Sequence, residues 1–443
     1  MADTASMLDD FMSDIKKKDK EGIITTVKEM KENQFGMPLE HYAQEYLFGA
    51  TGLRLRVFHS IAGMPASCKS PLLFDLMGHI CAPVDMNGLG GIGFLYELED
   101  KISPTLLEGV LSRFGDINDK SLRVVRGCTI EDAMKHLTTK LLPSYKAHFT
   151  KSNIPLVIGM DSIGGAASKD TVSKIQSDGV AGKGFYDKAH YLKYFCENAG
   201  VIMGDIPMIV ICINQEKEQA SAQSYGPAVK KITGGASQVF KDGHMISASY
   251  KTLASGDGKV ITLRTTKTSF CDARKIEVTF RWNKFGTSEK DAYGHHFEWA
   301  MASAKVLADP EKGVGEIRDI ADVKISDGGL VTCPQLDCKS VPPEVFEQAL
   351  YAPEYANVLN ALRVYQKIEC IKSVADYSEY MQNRKKEAKE DAKAAKGAEP
   401  KKSTVKKTTA KKDAAPVKTA SRSIMDIKPD SGQDAAPEDT DGQ

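Results

Sequence analysis

The octapeptide Gly63-Met-Pro-Ala-Ser-Cys-Lys69-Ser70 constrains this chain more than any other stretch. One apolar run, residues 56–62, precedes it and another, residues 71–77, follows. The order is strand, loop of small residues, helix. Such a loop can wrap phosphate oxygens in backbone N–H groups, with a lysine on the β- and γ-phosphates and the next hydroxyl on Mg2+. The usual spacing is G-x-x-x-x-G-K-[ST], and Cys68 stands at the second glycine. A side chain there either crowds a nucleotide or points away from it. Taken alone, the octapeptide fits a nucleotide cradle and an ordinary strand–turn–helix equally well. As a cradle it would use Gly63, Met64, Pro65, Ala66, Ser67, Cys68, Lys69, Ser70 and Pro71.

At 443 residues the chain holds one large core with appendages, or two domains. A hydrophobic fraction of 42% and a charged fraction of 27% are those of a soluble globular protein. No apolar run approaches the roughly 20 residues that cross a bilayer, so no membrane association is expected. The opening residues lack a basic stretch followed by an apolar block, so no secretory leader is expected. Nine irregularly spaced cysteines do not make a disulfide framework. They point to reduced thiols and a cytoplasmic location. Basic and acidic residues both number 59, yet they are unevenly spread. Residues 383–422 carry 14 basic and 5 acidic side chains, and residues 423–443 carry 1 and 6. A basic segment ending in an acidic tip is an electrostatic feature in its own right.

Residues 4–19 read as an amphipathic helix, with Met7, Leu8, Phe11, Met12 and Ile15 on one face. That face must pack on this chain's core or on a neighbour's. Strands are expected at 92–97, 122–126, 154–161 and 208–214. Helices are expected from Pro104 with Ser103 as its cap, over 129–148, and over 185–203. Residues 87–93 match G-x-G-x-x-G literally but precede a strand, so they read as a turn. Residues 163–184 and 215–235 are polar, without apolar period, and read as loops. Strands alternating with helices, several apolar throughout, indicate a mainly parallel sheet covered on both faces. From His244 the pattern becomes antiparallel, with strands at 244–253 and 260–267 about a Gly-Asp-Gly turn, then 275–282. Beyond 284 the sequence reads as mixed and helical, with helices at 353–372 and 374–396. Residues 383–423 have almost no large apolar side chains and are expected to stay disordered. Cys333 and Cys338 lack a second ligand pair, so a zinc site is not expected. His295-His296 reads as a helix start.

Hydrolysing a nucleoside triphosphate takes a phosphate cradle, a second Mg2+ anchor and a residue that orients water. Asp161 closes an apolar strand, and ligands gather at strand ends in open α/β sheets. It would hold Mg2+ together with Ser70. Glu99 lies just past the strand at 92–97 and would face the γ-phosphate, with Glu97 and Asp100 as competitors. Each of these acids has a plain alternative as a helix cap or a surface charge.

In this order the pieces resemble the RecA-type DNA recombinases, most closely the UvsX-like members of bacteriophages. The likeness rests on Gly63–Ser70; on 94–104, where Glu99 lies five residues before Pro104; on 158–169; on 211–215; and on 233–235. It covers roughly residues 50–300. UvsX-like members also carry a bulky residue at the position of Cys68. The resemblance implies a RecA-like P-loop ATPase core over 49–283, mainly parallel with an antiparallel extension. It implies an N-terminal helical oligomerisation segment over 1–48, a mostly helical domain over 284–382 and a disordered tail over 383–443. It also implies a DNA-dependent ATPase, using ATP and Mg2+, that forms a helical filament on single-stranded DNA. That filament would pair with double-stranded DNA and exchange strands in recombination, repair and replication. A single-stranded-DNA-binding protein and a loader would be its partners, in the host cytoplasm if phage-encoded. By the same resemblance Lys69 and Glu99 are catalytic and Gln215 senses the γ-phosphate. Lys267 reaches ATP on the adjacent subunit, and Trp282 stacks on adenine. Residues 163–184, with Lys169, Lys174 and Lys183, would face DNA. So would residues 216–233, with Lys217, Tyr225, Lys230 and Lys231, followed by Gly234 and Gly235. The basic segment 383–422 departs from the family. Two other readings stay open: a RecA-fold helicase or motor, and a catalytically weak DNA-coating protein, for which Cys68 leaves room.

Overall fold

The apolar run at residues 208–213 buries alternate side chains on two faces. Ile209, Ile211 and Ile213 join one core cluster, and Met208, Val210 and Cys212 join the other. A strand apolar throughout belongs to a sheet covered on both sides, and the computed structural model has that architecture. It describes residues 7, 10–15, 26–115, 117, 121–149, 152, 154–178, 193, 197–198, 200, 202–219, 229–232, 242–269, 271–282, 295–308 and 316–397. Residues 1–394 group into one compact unit and residues 395–443 into a second, of which 395–397 are described, as helix.

In chain order come α1 (Val27–Glu32), β1 (Phe35–Pro38), α2 (Tyr42–Phe48) and β2 (Gly52–Arg54). β3 (Phe58–Gly63) leads through the octapeptide into α3 (Lys69–Cys81). The alternating half continues through β4 (Ile92–Glu97), α4 (Pro104–Leu111), β5 (Leu122–Val125), α5 (Ile130–His136), α6 (Leu142–Phe149), β6 (Leu156–Asp161), α7 (Lys169–Asp178) and β7 (Met208–Gln219). Next are β8 (Val229–Ile232), β9 (Asp242–Thr252), β10 (Gly258–Thr268), β11 (Lys275–Arg281) and β12 (His296–Phe297). The chain then forms α8 (Trp299–Ala308), α9 (Glu316–Ile320), β13 (Lys324–Ile325), β14 (Val331–Cys333), β15 (Cys338–Val341), α10 (Pro343–Tyr351), α11 (Ala356–Tyr365), β16 (Lys372–Ser373) and α12 (Tyr377–Gly397).

The large sheet has the order β12-β11-β10-β9-β3-β7-β6-β4-β5, with β8 paired to β7. From β9 to β5 every pairing along this path is parallel, and β9 to β12 are antiparallel. The fold is mixed α/β with a large, mainly parallel central sheet, compatible with a Rossmann-like or RecA-like α/β core. The expected caps form: Ser103 Oγ accepts from Leu106 N–H, and Thr129 Oγ1 from Asp132 N–H. Among the described residues no helix is long and apolar enough to cross a membrane.

Several expectations need correction. Residues 169–178 are helix, not loop. Ser168 caps α7 by accepting from Thr171 N–H at 3.2 Å, so the helix is held by polar contacts that leave no apolar stripe to read. Residues 215–219 and 229–232 are paired strands, not loop. The expected helix over 353–372 is α11 preceded by one 3-10 turn, Pro353–Tyr355. It stops because Lys367 is left-handed (φ 51) and the Arg274 guanidinium donates to the carbonyls of Gln366 and Lys367 at 2.7 and 3.0 Å. His296 lies in β12, and the next helix begins at Trp299. The region over 284–382 also holds the β13-β14-β15 sheet, in which Cys333 and Cys338 are opposite, buried thiols. Residues 383–397 continue α12, as their Ala, Glu and Lys content favours.

Residues 35–48 are built into the common core. β1 pairs with β2 and, across the chain, with β16, and Phe35, Met37, Tyr42 and Leu47 are buried. Nearer the N-terminus, residues 10–15 are helical, and Met7, Phe11 and Met12 are exposed.

Candidate nucleotide site

Parallel pairing brings four chain segments to one edge of the sheet. Gly63 at the end of β3 is opposite Gln215, and Glu97 at the end of β4 is opposite Asp161 at the end of β6. A Cβ on Gly63 would lie 2.3 Å from the Ala248 carbonyl oxygen, so the chain can leave β3 beside β9 only as glycine. In the loop itself Ala66 and Cys68 are left-handed (φ 63 and 56), and Cys68 caps α3. The helix therefore starts at Lys69, with its positive end toward the loop.

The loop forms one wall of a cavity of about 490 Å3, lined by Pro65 through Pro71 and also by Glu99, Asp161, Gln215 and Trp282. That volume is within the range of small-molecule sites. Thus Lys69, Ser70, Glu99, Asp161, Gln215 and Trp282, dispersed over more than 200 residues of sequence, share one cavity. Phe74, Ile102, Leu106 and Phe280 supply apolar lining. Gly63 and Met64 are not among the lining residues, but the Met64 carbonyl accepts from Lys69 Nζ at 2.7 Å.

The charges are arranged with distinct roles. Lys69 is buried, and burial lowers its ammonium pKa against the pull of Asp161. Burial also pushes the Asp161 carboxyl up to about 6, while the Ser70 hydroxyl donates to it. Ser70 and Asp161 therefore present adjoining hard oxygen donors, the donor class Mg2+ takes. They would hold the ion, which would neutralise phosphate charge when bound.

Glu99 has the opposite balance. Burial would raise its carboxyl, but hydrogen bonds from Lys101 and Ser162 outweigh that and hold it below its ordinary value. Lys101 Nζ donates to Glu99 Oε2 at 2.6 Å, Gln215 Nε2 donates to Oε1 at 2.9 Å, and Ser162 Oγ donates to Oε1. A Cβ at Gly165 would fall 1.9 Å from Glu99 Oε1, so that glycine leaves the carboxylate its space. The competing acids have other partners, although Glu97 also lines the cavity. Glu97 is buried, accepts from Ile102 N–H and pairs with Arg126 at 2.6 Å. Asp100 pairs with the same arginine at 2.7 Å.

Lys267 is not among the residues lining this cavity. It lies on β10 eight residues beyond Lys259, which lines it, so roughly 25 Å along the strand separates the two. Its rival Arg274 is a buried structural cation, donating to the Tyr46, Gln366 and Lys367 carbonyls. Three lining or contacting residues, Lys101, Ser162 and Lys259, do not stand out in the sequence. Ser162 and Lys101 adjoin residues that do. Lys259 carries no local signal, because only the β10-β9-β3 pairing brings it to the loop.

Among the proposed DNA-facing residues, Lys169 pairs with Asp132 at 2.6 Å at the start of α7. Lys174 lies within α7. Lys217 is opposite Lys231, and Lys230 opposite Glu218, in the β7–β8 ribbon. Lys183, Tyr225, Gly234 and Gly235 lie outside the described residues. Neither a protein-family model nor a curated protein sequence matches the chain.

Proposed function

We propose that this chain is an ATP-dependent DNA recombinase of the RecA type, with a P-loop ATPase core. The observation that supports the reading most is the convergence of Lys69, Ser70, Asp161 and Glu99 on one cavity. Loop backbone and Lys69 bind the triphosphate, Ser70 and Asp161 hold Mg2+, and Glu99 orients the attacking water. Lys69 Nζ exchanges the Met64 carbonyl for a charged phosphate oxygen, a stronger acceptor. Trp282 stacks on the base. Gln215 bonds to Glu99 and lies on the strand that runs on into the β7–β8 ribbon. A change at the γ-phosphate that draws Glu99 away also frees Gln215, and the ribbon carries the signal to DNA. On this reading Lys267 serves a neighbouring subunit's nucleotide in the filament.

DNA-stimulated ATP hydrolysis of wild type, Lys69→Ala and Glu99→Gln tests the site. Each variant should lose about a hundredfold or more in rate. Equal hydrolysis by all three would remove the proposed site. Formation of D-loops from homologous single-stranded DNA separates recombinase from helicase, which would instead unwind a forked duplex.

A further inference from the structure

Lys259 makes three contacts that gripping phosphate, holding Mg2+ and orienting water leave unused. Its ammonium donates to the Ala66 carbonyl of the loop at 2.7 Å. It also lies 4.2 Å from the Tyr250 ring centroid and 5.7 Å from that of Trp282. Tyr250 is on β9, and Trp282 follows β11 directly, so one cation joins the loop to the antiparallel extension. The extension is braced at the same place. Trp282 Nε1 donates to the Gly256 carbonyl at 3.2 Å, and Arg281 pairs with Asp257 at 3.0 Å. Trp282 is thereby fixed to the β9–β10 turn, and Lys259 ties this braced unit to the loop. Ala66, the acceptor, is also one of the two left-handed non-glycine residues in that loop.

We infer that Lys259 is a positioning and specificity residue that sets the distance between the aromatic wall and the phosphate loop. The inference rests on the nucleotide reading and deepens it. A nucleoside triphosphate must touch both walls at once, and its affinity depends on their separation being fixed beforehand. Bare polyphosphate touches only the loop. Lys259 therefore favours ligands that carry a base, without being the cation that grips phosphate.

The test compares ATP with inorganic tripolyphosphate, each with Mg2+, on the full chain. The chain has two tryptophans. Trp299 is 2% exposed and bonded to Asp75, so Trp282 is the one placed to report stacking by fluorescence. Tripolyphosphate is read by its competition with ATP and by calorimetry. Lys259→Met should weaken ATP by about tenfold and tripolyphosphate by less than about twofold. Lys259→Arg, which keeps the charge and the ring contact, should recover most of the ATP affinity. A thermal melt of each variant confirms that the sheet is intact. An equal loss for both ligands would make Lys259 a phosphate contact and overturn the inference, as would no loss for either. If wild type binds tripolyphosphate but not ATP, the base wall is wrong and the inference falls with it. If wild type binds neither, the nucleotide reading itself is wrong.

Discussion

Cys68 occupies the position where a phosphate loop ordinarily has glycine, and the backbone shows why glycine is ordinary there. Its φ of 56° is left-handed, a conformation costing a residue with a Cβ about 1–2 kcal/mol. Burial also pushes the thiol up to about 11, with Lys259 and Lys69 pulling the other way, so Cys68 is a neutral side chain at neutral pH. Cys68→Gly should therefore raise unfolding free energy by about 1 kcal/mol, read by denaturant titration. A loss of stability would mean that the thiol's packing outweighs the backbone strain. At the same scale the three acids near residue 99 sort themselves by partner. Glu97 and Asp100 share Arg126, while Glu99 meets Gln215 and Ser162. In the sequence only the spacing from Glu99 to Pro104 ranks them.

At the scale of elements, α3 is held by more than its loop. Asp75 on its buried side accepts from Arg113 Nε at 2.9 Å and from Trp299 Nε1 at 2.8 Å. Arg113, just past α4, also reaches Glu40 at 2.9 Å. α3 is thus tied to α8 and to the segment before α2 by buried and partly buried polar bonds, which fix geometry where apolar contact alone would let it slide. Arg274 plays a similar part at the far end of α11. It is 7% exposed and donates to three backbone carbonyls, two of them ending that helix. Arg274→Ala takes that donor from all three carbonyls, including the buried Gln366, and leaves Tyr46 with the Gly49 N–H. It should destabilise the chain by about 3 kcal/mol, checked by the shift in denaturation midpoint. An effect within experimental error would show that the α11 end is held by something else.

At the scale of the whole molecule, stability should depend on pH through a pair of imidazoles in the central sheet. His59 on β3 and His244 on β9 stack with centroids 5.3 Å apart. Burial, with the neighbouring His244 adding to it, holds His59 down to about 3, and burial holds His244 down to about 4, from a usual 6.5. The unfolded chain binds more protons than the folded one between those values. Stability from the neutral pair is therefore complete above about pH 6.5 and is lost as pH falls toward 4 and 3. Each imidazole loses about 1.4 kcal/mol for every pH unit of that descent. Asp161 acts with the opposite sign, its raised carboxyl making the fold less stable as pH climbs from about 4 to about 6. Denaturant midpoints from pH 7 to pH 4 should fall more steeply for wild type than for His59→Gln. Parallel curves would mean that the pair does not set the acid response.

The alternating half of the fold was legible because its strands are buried on both faces and its helices carry local caps. Ser103 and Thr129 announce α4 and α5 in the letters themselves, and the run at 208–213 announces a covered strand. The positions of Lys69, Ser70, Asp161 and Glu99 were legible for the same reason, since strand ends can be read from hydrophobic pattern. What the sequence alone did not decide was anything set by pairing between distant segments. The β7–β8 ribbon, the union of β1 with β16 and the stop of α11 at Tyr365 all depend on partners far along the chain. Lys259 belongs to that group. Hydrophobic period and capping are local energies and leave a local trace, whereas a hydrogen bond from residue 259 to residue 66 exists only after β10, β9 and β3 have aligned.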